Sequence, residues 1–487
     1  MKKINKILCG ILGASFLLAG CATVGNIQND QTEVIYNGNS AVMVSDNLYF
    51  GNSIADIGSG FSYKDAKTYA YLSRLNTKLD FGAKDQDYSP KTVEMVEGEV
   101  VGHENSFMFA LGDYVYYAVP NQKEFKNDEG KPEKHYDYTT IMRCKLNGDK
   151  NKELYTAEGT VSQIEVLKYG ENYYIVFLAG TNLIKIEIGN SRRVANKAVV
   201  LADNVTSVAI PKTYQKDQNG SSLDWNGYIY YTVDKKDEDN SDVKGTVVKK
   251  IKADSSKSED MRATADTYKF VGRQKDVVFY TQSQKDGSTY TYVTDMTNAT
   301  YNDTILSGKE LYRSSVSDFE EIVEFVSDSY VTVGYAFLNS SNLVVAKKTT
   351  DGYKISTVDF KANGSSISSY KIVETSGKTV YLSTTTAIYR ADLSAVLNGE
   401  TNEVDCTTLT KMTAISDKGL TAFDGKYIYF YAKLETVETS SDDSEEKVEE
   451  TDDNYYMYRT NVGRVASDEQ KNYELLSLTK INSRRSK

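Results

Sequence analysis

The chain has 487 residues, long enough to bury a large core, and carries 68 acidic against 57 basic side chains for a formal net charge of −11. That balance excludes polyanion binding driven by counterion release, so no nucleic-acid partner is expected. Tyr is abundant (38) while Trp (1), His (2) and Pro (4) are scarce, a composition that favours strands over helices and leaves no material for a multi-histidine metal centre.

The N-terminus reads MKKINKILCGILGASFLLAGCATVG. Lys2, Lys3 and Lys6 make a positive start, and Ile7 to Leu18 is an apolar run too short to span a bilayer. The run closes on Leu18-Ala19-Gly20-Cys21, which resembles the bacterial lipobox. The resemblance implies a signal peptide over 1–20, cleavage before Cys21, and a thioether-linked diacylglycerol on the Cys21 thiol with acylation of its new amino group. It also implies a bacterial lipoprotein held on the extracytoplasmic face of the cell membrane. Two or three acyl chains, at about 0.8 kcal/mol per buried CH2, make a stable anchor. Loss of three lysines with the signal leaves the remainder more acidic still. Residues 21–32 are small and polar and read as a tether. Its ten or so residues past Cys21 reach at most about 35 Å. The folded domain is expected over 33–487.

Along that domain one phrase returns. It reads NLYF at 47–50, YVYY at 114–117, YIVF at 174–177, YIYY at 228–231, VVFY at 277–280, YVTV at 330–333, TVYL at 379–382 and YIYF at 427–430. The third residues (Tyr49, Tyr116, Val176, Tyr230, Phe279, Thr332, Tyr381 and Tyr429) fall at intervals of 67, 60, 54, 49, 53, 49 and 48, the mark of a repeat architecture. Each phrase is followed by a second strand, such as TIMRCKLNG (140–148) or NLIKIEIG (182–189). A third often follows, as in KELYTA (152–157). A fourth, such as SQIEVLK (162–168) or SYKIVET (369–375), leads into the next unit. Four strands closed by turns such as Asn147-Gly148 describe a propeller blade. In YIYYTV, period-two alternation sends apolar side chains to both faces, so both faces must be covered, as in stacked blades. The fold expected is an all-β propeller of eight four-stranded blades, with seven as the alternative count. A row of β-sandwiches is disfavoured by the even spacing and the lack of linkers.

The stretch YVYYAVPN…TTIMRCKLNGDKNKELYT is similar to the uncharacterised bacterial propeller repeats of the form YYxxxDGxLYRIxxDGxxxxxLT. That resemblance extends over roughly 40–480, and blades five and six depart from it by lacking the basic residue of the strand after the phrase. Of the four cysteines, Cys9 leaves with the signal and Cys21 takes lipid. Cys144 and Cys406 remain, either as buried thiols or as a disulfide, and their distant repeats favour thiols.

Catalytic signatures are absent: no HExxH, GxSxG, CxxC or Gly-rich phosphate loop. Ser368-x-x-Lys371 lies in a strand repeat and reads as structural. No enzyme activity, cofactor or metal is expected. DEDNSD at 237–242 lacks the glycine a calcium loop needs. Arg74, Arg143, Lys185, Arg390 and Arg459 recur at one place in the repeat. They read either as a groove for an anionic ligand or as structural groups bonding neighbouring-blade carbonyls, the latter favoured. Long insertions at 51–69, 118–139 and 435–453 fall in blades one, two and eight, which a closed ring makes neighbours, with a further one in blade four. The insertion at 435–453 holds ten acids and one lysine. Lys64, Lys126, Tyr136, Asp442 and Glu446 are the contact residues expected on this sector. The expected role is a protein-binding or scaffolding module of the cell envelope. The alternatives are a glycan- or peptidoglycan-binding surface and, less favoured, a glycan-cleaving enzyme with paired carboxylates in the channel.

Overall fold

The computed structural model describes residues 41–51, 53–54, 72–76, 93–94, 101, 107–127, 129–135, 138–169, 172–188, 198–210, 227–236, 243–264, 266–274, 277–284, 286–295, 306, 308–314, 319–326, 332–339, 342–416, 422–433, 455–466 and 471–476. Among the described residues, besides one two-stranded hairpin, the strands form eight sheets whose main strands pair antiparallel in chain order, and these are the eight blades of a β-propeller. Blade one is built from Ala41–Val44, Asn47–Gly51, Leu72–Asn76 and Val93–Glu94. Blade two is built from Met108–Leu111, Tyr114–Pro120, Thr139–Lys145 and Lys152–Ala157, and blades three to seven follow the same order. In blade eight Tyr427–Ala432, Tyr455–Asn461 and Glu474–Leu475 are strands, and the bridges Ile415–Ala432 and Phe423–Ile428 take the place of the first. First strands of neighbouring blades pack on one another, as the axis-lining strands of a propeller do.

The doubly apolar strands are explained by eight buried clusters, one at each interface between blades. In blade four, Tyr230 packs with Tyr268, Phe270 and Tyr280 of blade five. Its neighbour Tyr231, on the other face, packs with Tyr174 and Val176 of blade three. The same pattern recurs: Tyr49 faces blade two and Phe50 faces blade eight. Each phrase therefore supplies side chains to two interfaces at once, and each fully buried aromatic contributes roughly 1.5–3 kcal/mol of apolar burial.

Blade six corrects one expectation. Its second strand runs Thr332–Asn339, so YVTV only begins it. Ala336 pairs with Val345 and faces blade seven, and so stands where Tyr49 or Tyr230 stands elsewhere; Thr332 does not. The strand also uses a glycine for close approach. A Cβ on Gly334 would lie 2.5 Å from the Ala346 carbonyl oxygen of the facing strand. Gly334→Ala is expected to lower the thermal midpoint through a forced backbone shift, read by calorimetry.

The ring closes without exchanging a full strand. Just beyond the second strand of blade one, Ser53–Ile54 pair with Tyr455–Tyr456 of blade eight. The Tyr431 hydroxyl donates to the Gly51 carbonyl at 2.9 Å, and Phe50, Leu48 and Leu75 pack against Tyr429, Tyr431 and Met457. Blade seven reaches back in a similar way. Between its third and fourth strands lie a short helix, Ser394–Asn398, and the strand Glu403–Asp405, which pairs parallel with Asp359–Lys361 of blade six.

Candidate interaction face

The recurring basic residues occupy one register. Arg74 pairs with Tyr49, Arg143 with Tyr116, Lys185 with Val176, Arg390 with Tyr381 and Arg459 with Tyr429. Lys250, opposite Tyr230, joins them and was not singled out from the sequence. Arg74 donates to the Leu146 carbonyl of blade two at 3.4 Å, where the Tyr49 hydroxyl also donates at 3.0 Å. Lys185 donates to the Ala253 carbonyl of blade four, and Arg390 to the Val462 carbonyl of blade eight at 2.9 Å. Leu146, Ala253 and Val462 each directly follow the third strand of the next blade. Lys250 and Arg459 instead meet acids on their own fourth strands, Glu259 at 3.3 Å and Glu474 at 2.7 Å. Tyrosine rings cover several of these cations: Tyr114 under Arg143, Tyr174 under Lys185, Tyr228 under Lys250 and Tyr427 under Arg459, at 4.1–5.6 Å. These contacts make most of the set latches between blades and strands, not a continuous groove.

In a four-stranded meander the connections between second and third strands share one face with those linking blade to blade. The long insertions of blades eight, one and two therefore leave from one face. Pairing of Ser53–Ile54 with Tyr455–Tyr456 sets the start of the blade-one insertion beside the end of the blade-eight insertion. Of the expected contact residues, Lys64, Tyr136, Asp442 and Glu446 lie outside the described residues, as do the expected lipid-attachment residue Cys21 and the DEDNSD segment. Lys126 is exposed on the blade-two insertion.

That insertion is a built hairpin. Glu124–Lys126 pairs with Pro132–Lys134 across a turn in which the Asn127 side chain accepts from the backbone N–H groups of Glu129 and Lys131. Its base is pinned by Asn121, fully buried: Nδ2 donates to the carbonyls of Lys123 (2.9 Å) and His135 (3.1 Å), and Oδ1 accepts from Lys123 N–H (2.9 Å). The His135 ring stacks on Tyr138 at 4.5 Å, and Phe125 meets both edge-on. Around this aromatic knot sit exposed Lys126, Lys131 and Lys134 with Glu124, Glu129 and Glu133. Asn121 and the knot were not read from the sequence. Aromatic residues at 125, 135, 136 and 138 inside a polar insertion were the available signal. Asn121→Ala is expected to speed amide exchange across 122–137 by about tenfold or more, leaving the blades unchanged, because it removes both half-buried side-chain bonds that tie the two ends of the hairpin together.

On the axis-lining strand of blade seven, burial pushes the Glu374 carboxyl above the usual carboxylate range, against the opposing bond from the Thr375 N–H. A raised pKa means the folded state gains from the neutral form at low pH and loses that gain as pH climbs through the folded value. Glu374→Gln is accordingly expected to stabilise the protein at pH 7 and to have no effect near pH 3, measured as thermal midpoints. Cys144 and Cys406 are free thiols, the latter pushed up to about 12 mainly by burial. Among the described residues no group of three His, Cys, Asp or Glu is placed to hold a metal ion, and no helix is long and apolar enough to cross a membrane.

No family model and no curated protein matches the chain. Solved structures do. A prolyl endopeptidase structure is similar over 89% of this chain and 57% of its own, at 11% identity and a TM-score of 0.40. The Dos1 propeller is similar over 67% of this chain and 86% of its own, at 9% identity and 0.39. Hsv2 of Kluyveromyces lactis is similar over 78% of this chain and 98% of its own, at 12% identity and 0.36. This chain thus spans little more than half the length of the endopeptidase it resembles. At such identities the likeness is one of fold alone.

Proposed function

We propose that this chain is a lipid-anchored, extracytoplasmic propeller that serves as a protein-binding scaffold of the cell envelope and not as an enzyme. The observation that carries the binding role is the blade-two hairpin. Asn121 fixes its base, an aromatic knot stiffens it, and Lys126 is exposed on it, on the face from which the insertions of blades eight and one also leave. A rigid scaffold presenting long loops is the usual architecture of a binding module. The anchoring role rests on Lys2, Lys3 and Lys6, the short apolar run, and Leu18-Ala19-Gly20-Cys21.

The test is cross-linking mass spectrometry on the native protein in its own membranes. Reproducible links from Lys126, Lys64 or Lys447 to one envelope protein are the expected result, lost when residues 123–134 are replaced by a two-residue turn. Links scattered over all faces, or none, would sink the scaffold reading. The anchor is tested separately: Cys21→Ser is expected to move the protein from the membrane to the soluble fraction.

A further inference from the structure

Among the latch residues, Arg143 of blade two breaks the pattern. It is 7% exposed, and its Nε and Nη1 are buried with no hydrogen-bond partner. The guanidinium lies over the Tyr114 ring at 4.4 Å and donates to the hydroxyl of Tyr116, a phenol that burial keeps neutral. Neither ring supplies negative charge. Arginine cannot escape by releasing its proton, and an uncompensated buried cation is strongly destabilising.

Register shows what is missing. The fourth-strand residue opposite Lys250 is Glu259, and the one opposite Arg459 is Glu474; each forms an ion pair there. The residue opposite Arg143 is Lys152. Paired residues project to the same face, so two cations share the side of blade two that packs on Ile175, Ile186 and Ile188 of blade three. Lys152 is exposed and has no ion-pair partner among the described residues. Where blades four and eight place a carboxylate, and blades one, three and seven a neutral residue, blade two places a second positive charge.

We propose that a small oxyanion, carboxylate or phosphate in character, binds between blades two and three against Arg143 and Lys152, taking the place that Glu259 and Glu474 fill in blades four and eight. Arg143 would give the charge-assisted hydrogen bonds and Lys152, exposed beside it in register, would draw the anion in. The site is independent of the anchor and of the hairpin face.

Thermal unfolding of the full-length protein in detergent, titrated with inorganic phosphate or acetate against chloride at equal ionic strength, tests this. A saturable rise of about 3 °C is expected at a hundredfold excess over Kd. R143M should abolish the response. K152E supplies the carboxylate internally and should raise the midpoint in plain buffer while removing the anion dependence. The second variant guards against a misfolded first one, since it is expected to be more stable than the parent. A phosphate-selective response identifies a phosphate-type ligand, and an equal response to acetate a carboxylate-type one. No response to either anion, or a full response retained in K152E, overturns the proposal.

Discussion

Glu474→Ala is expected to cost about 3 kcal/mol of stability, more than removal of its partner by Arg459→Met. Arg459 is 1% exposed and makes two charge-assisted bonds to Glu474 Oε2, at 2.7 Å from Nε and 2.6 Å from Nη2. Glu474 is more than a third exposed. Deleting the glutamate leaves a permanently charged guanidinium in the interior beside the Tyr427 ring, the case that costs about 3–5 kcal/mol. The glutamate's partial exposure and the ring's attraction put the loss at the low end. Deleting the arginine leaves a carboxylate that water can reach, and methionine restores much of the buried stem. Denaturant unfolding of both variants, compared at equal m value, reads the asymmetry. Equal losses would mean that the pair is energetically symmetric and the burial argument wrong.

Tyr431→Ala is expected to lose about 3–5 kcal/mol, and Tyr431→Phe about 1–3 kcal/mol. The side chain is fully buried between Phe50 and Met457, and its hydroxyl reaches the Gly51 carbonyl across the closing seam at 2.9 Å. Alanine opens a cavity at the seam as well as stranding that carbonyl; phenylalanine does only the latter. In hydrogen exchange, both variants should expose blade one and blade eight ahead of blades three to six, because the seam is the one interface without a continuous covalent link. A uniform rise over all blades would show that the seam is not a separate cooperative unit.

Most of the ring was legible because its constraints are local and repeated. Alternation in YVYY and YIYY announces two buried faces, and the spacing counts the blades. Blade six was misplaced because its interface residue is Ala336, too small to carry the aromatic signal, while the nearby Tyr330 imitates it. The basic residues could be aligned from sequence, but their partners could not. The acceptor carbonyls lie 72, 68 and 72 residues away in the next blade, and a carbonyl has no side-chain signature. The Arg143 exception was hidden for a related reason. Lys152 is unremarkable in KELYTA until the register sets it opposite another cation. Asn121 was missed because nothing in PNQKEF distinguishes a buried amide from a solvated one.

The seam also sets an order of events during synthesis. Its partners, Gly51 and Tyr431, are 380 residues apart. Blade one is made first and blade eight last, so seven interfaces can zip in sequence while the apolar face of Leu48, Phe50 and Leu75 waits for Tyr429, Tyr431 and Met457. Throughout that interval the nascent arc presents a sticky flank and a free edge, the combination that drives misassembly between chains. Chain-length closure entropy grows only slowly with separation, so the final step is limited less by the search than by the survival of that flank. A polypeptide stopped short of residue 455 would keep the flank uncovered and is expected to aggregate, however well its first seven blades fold.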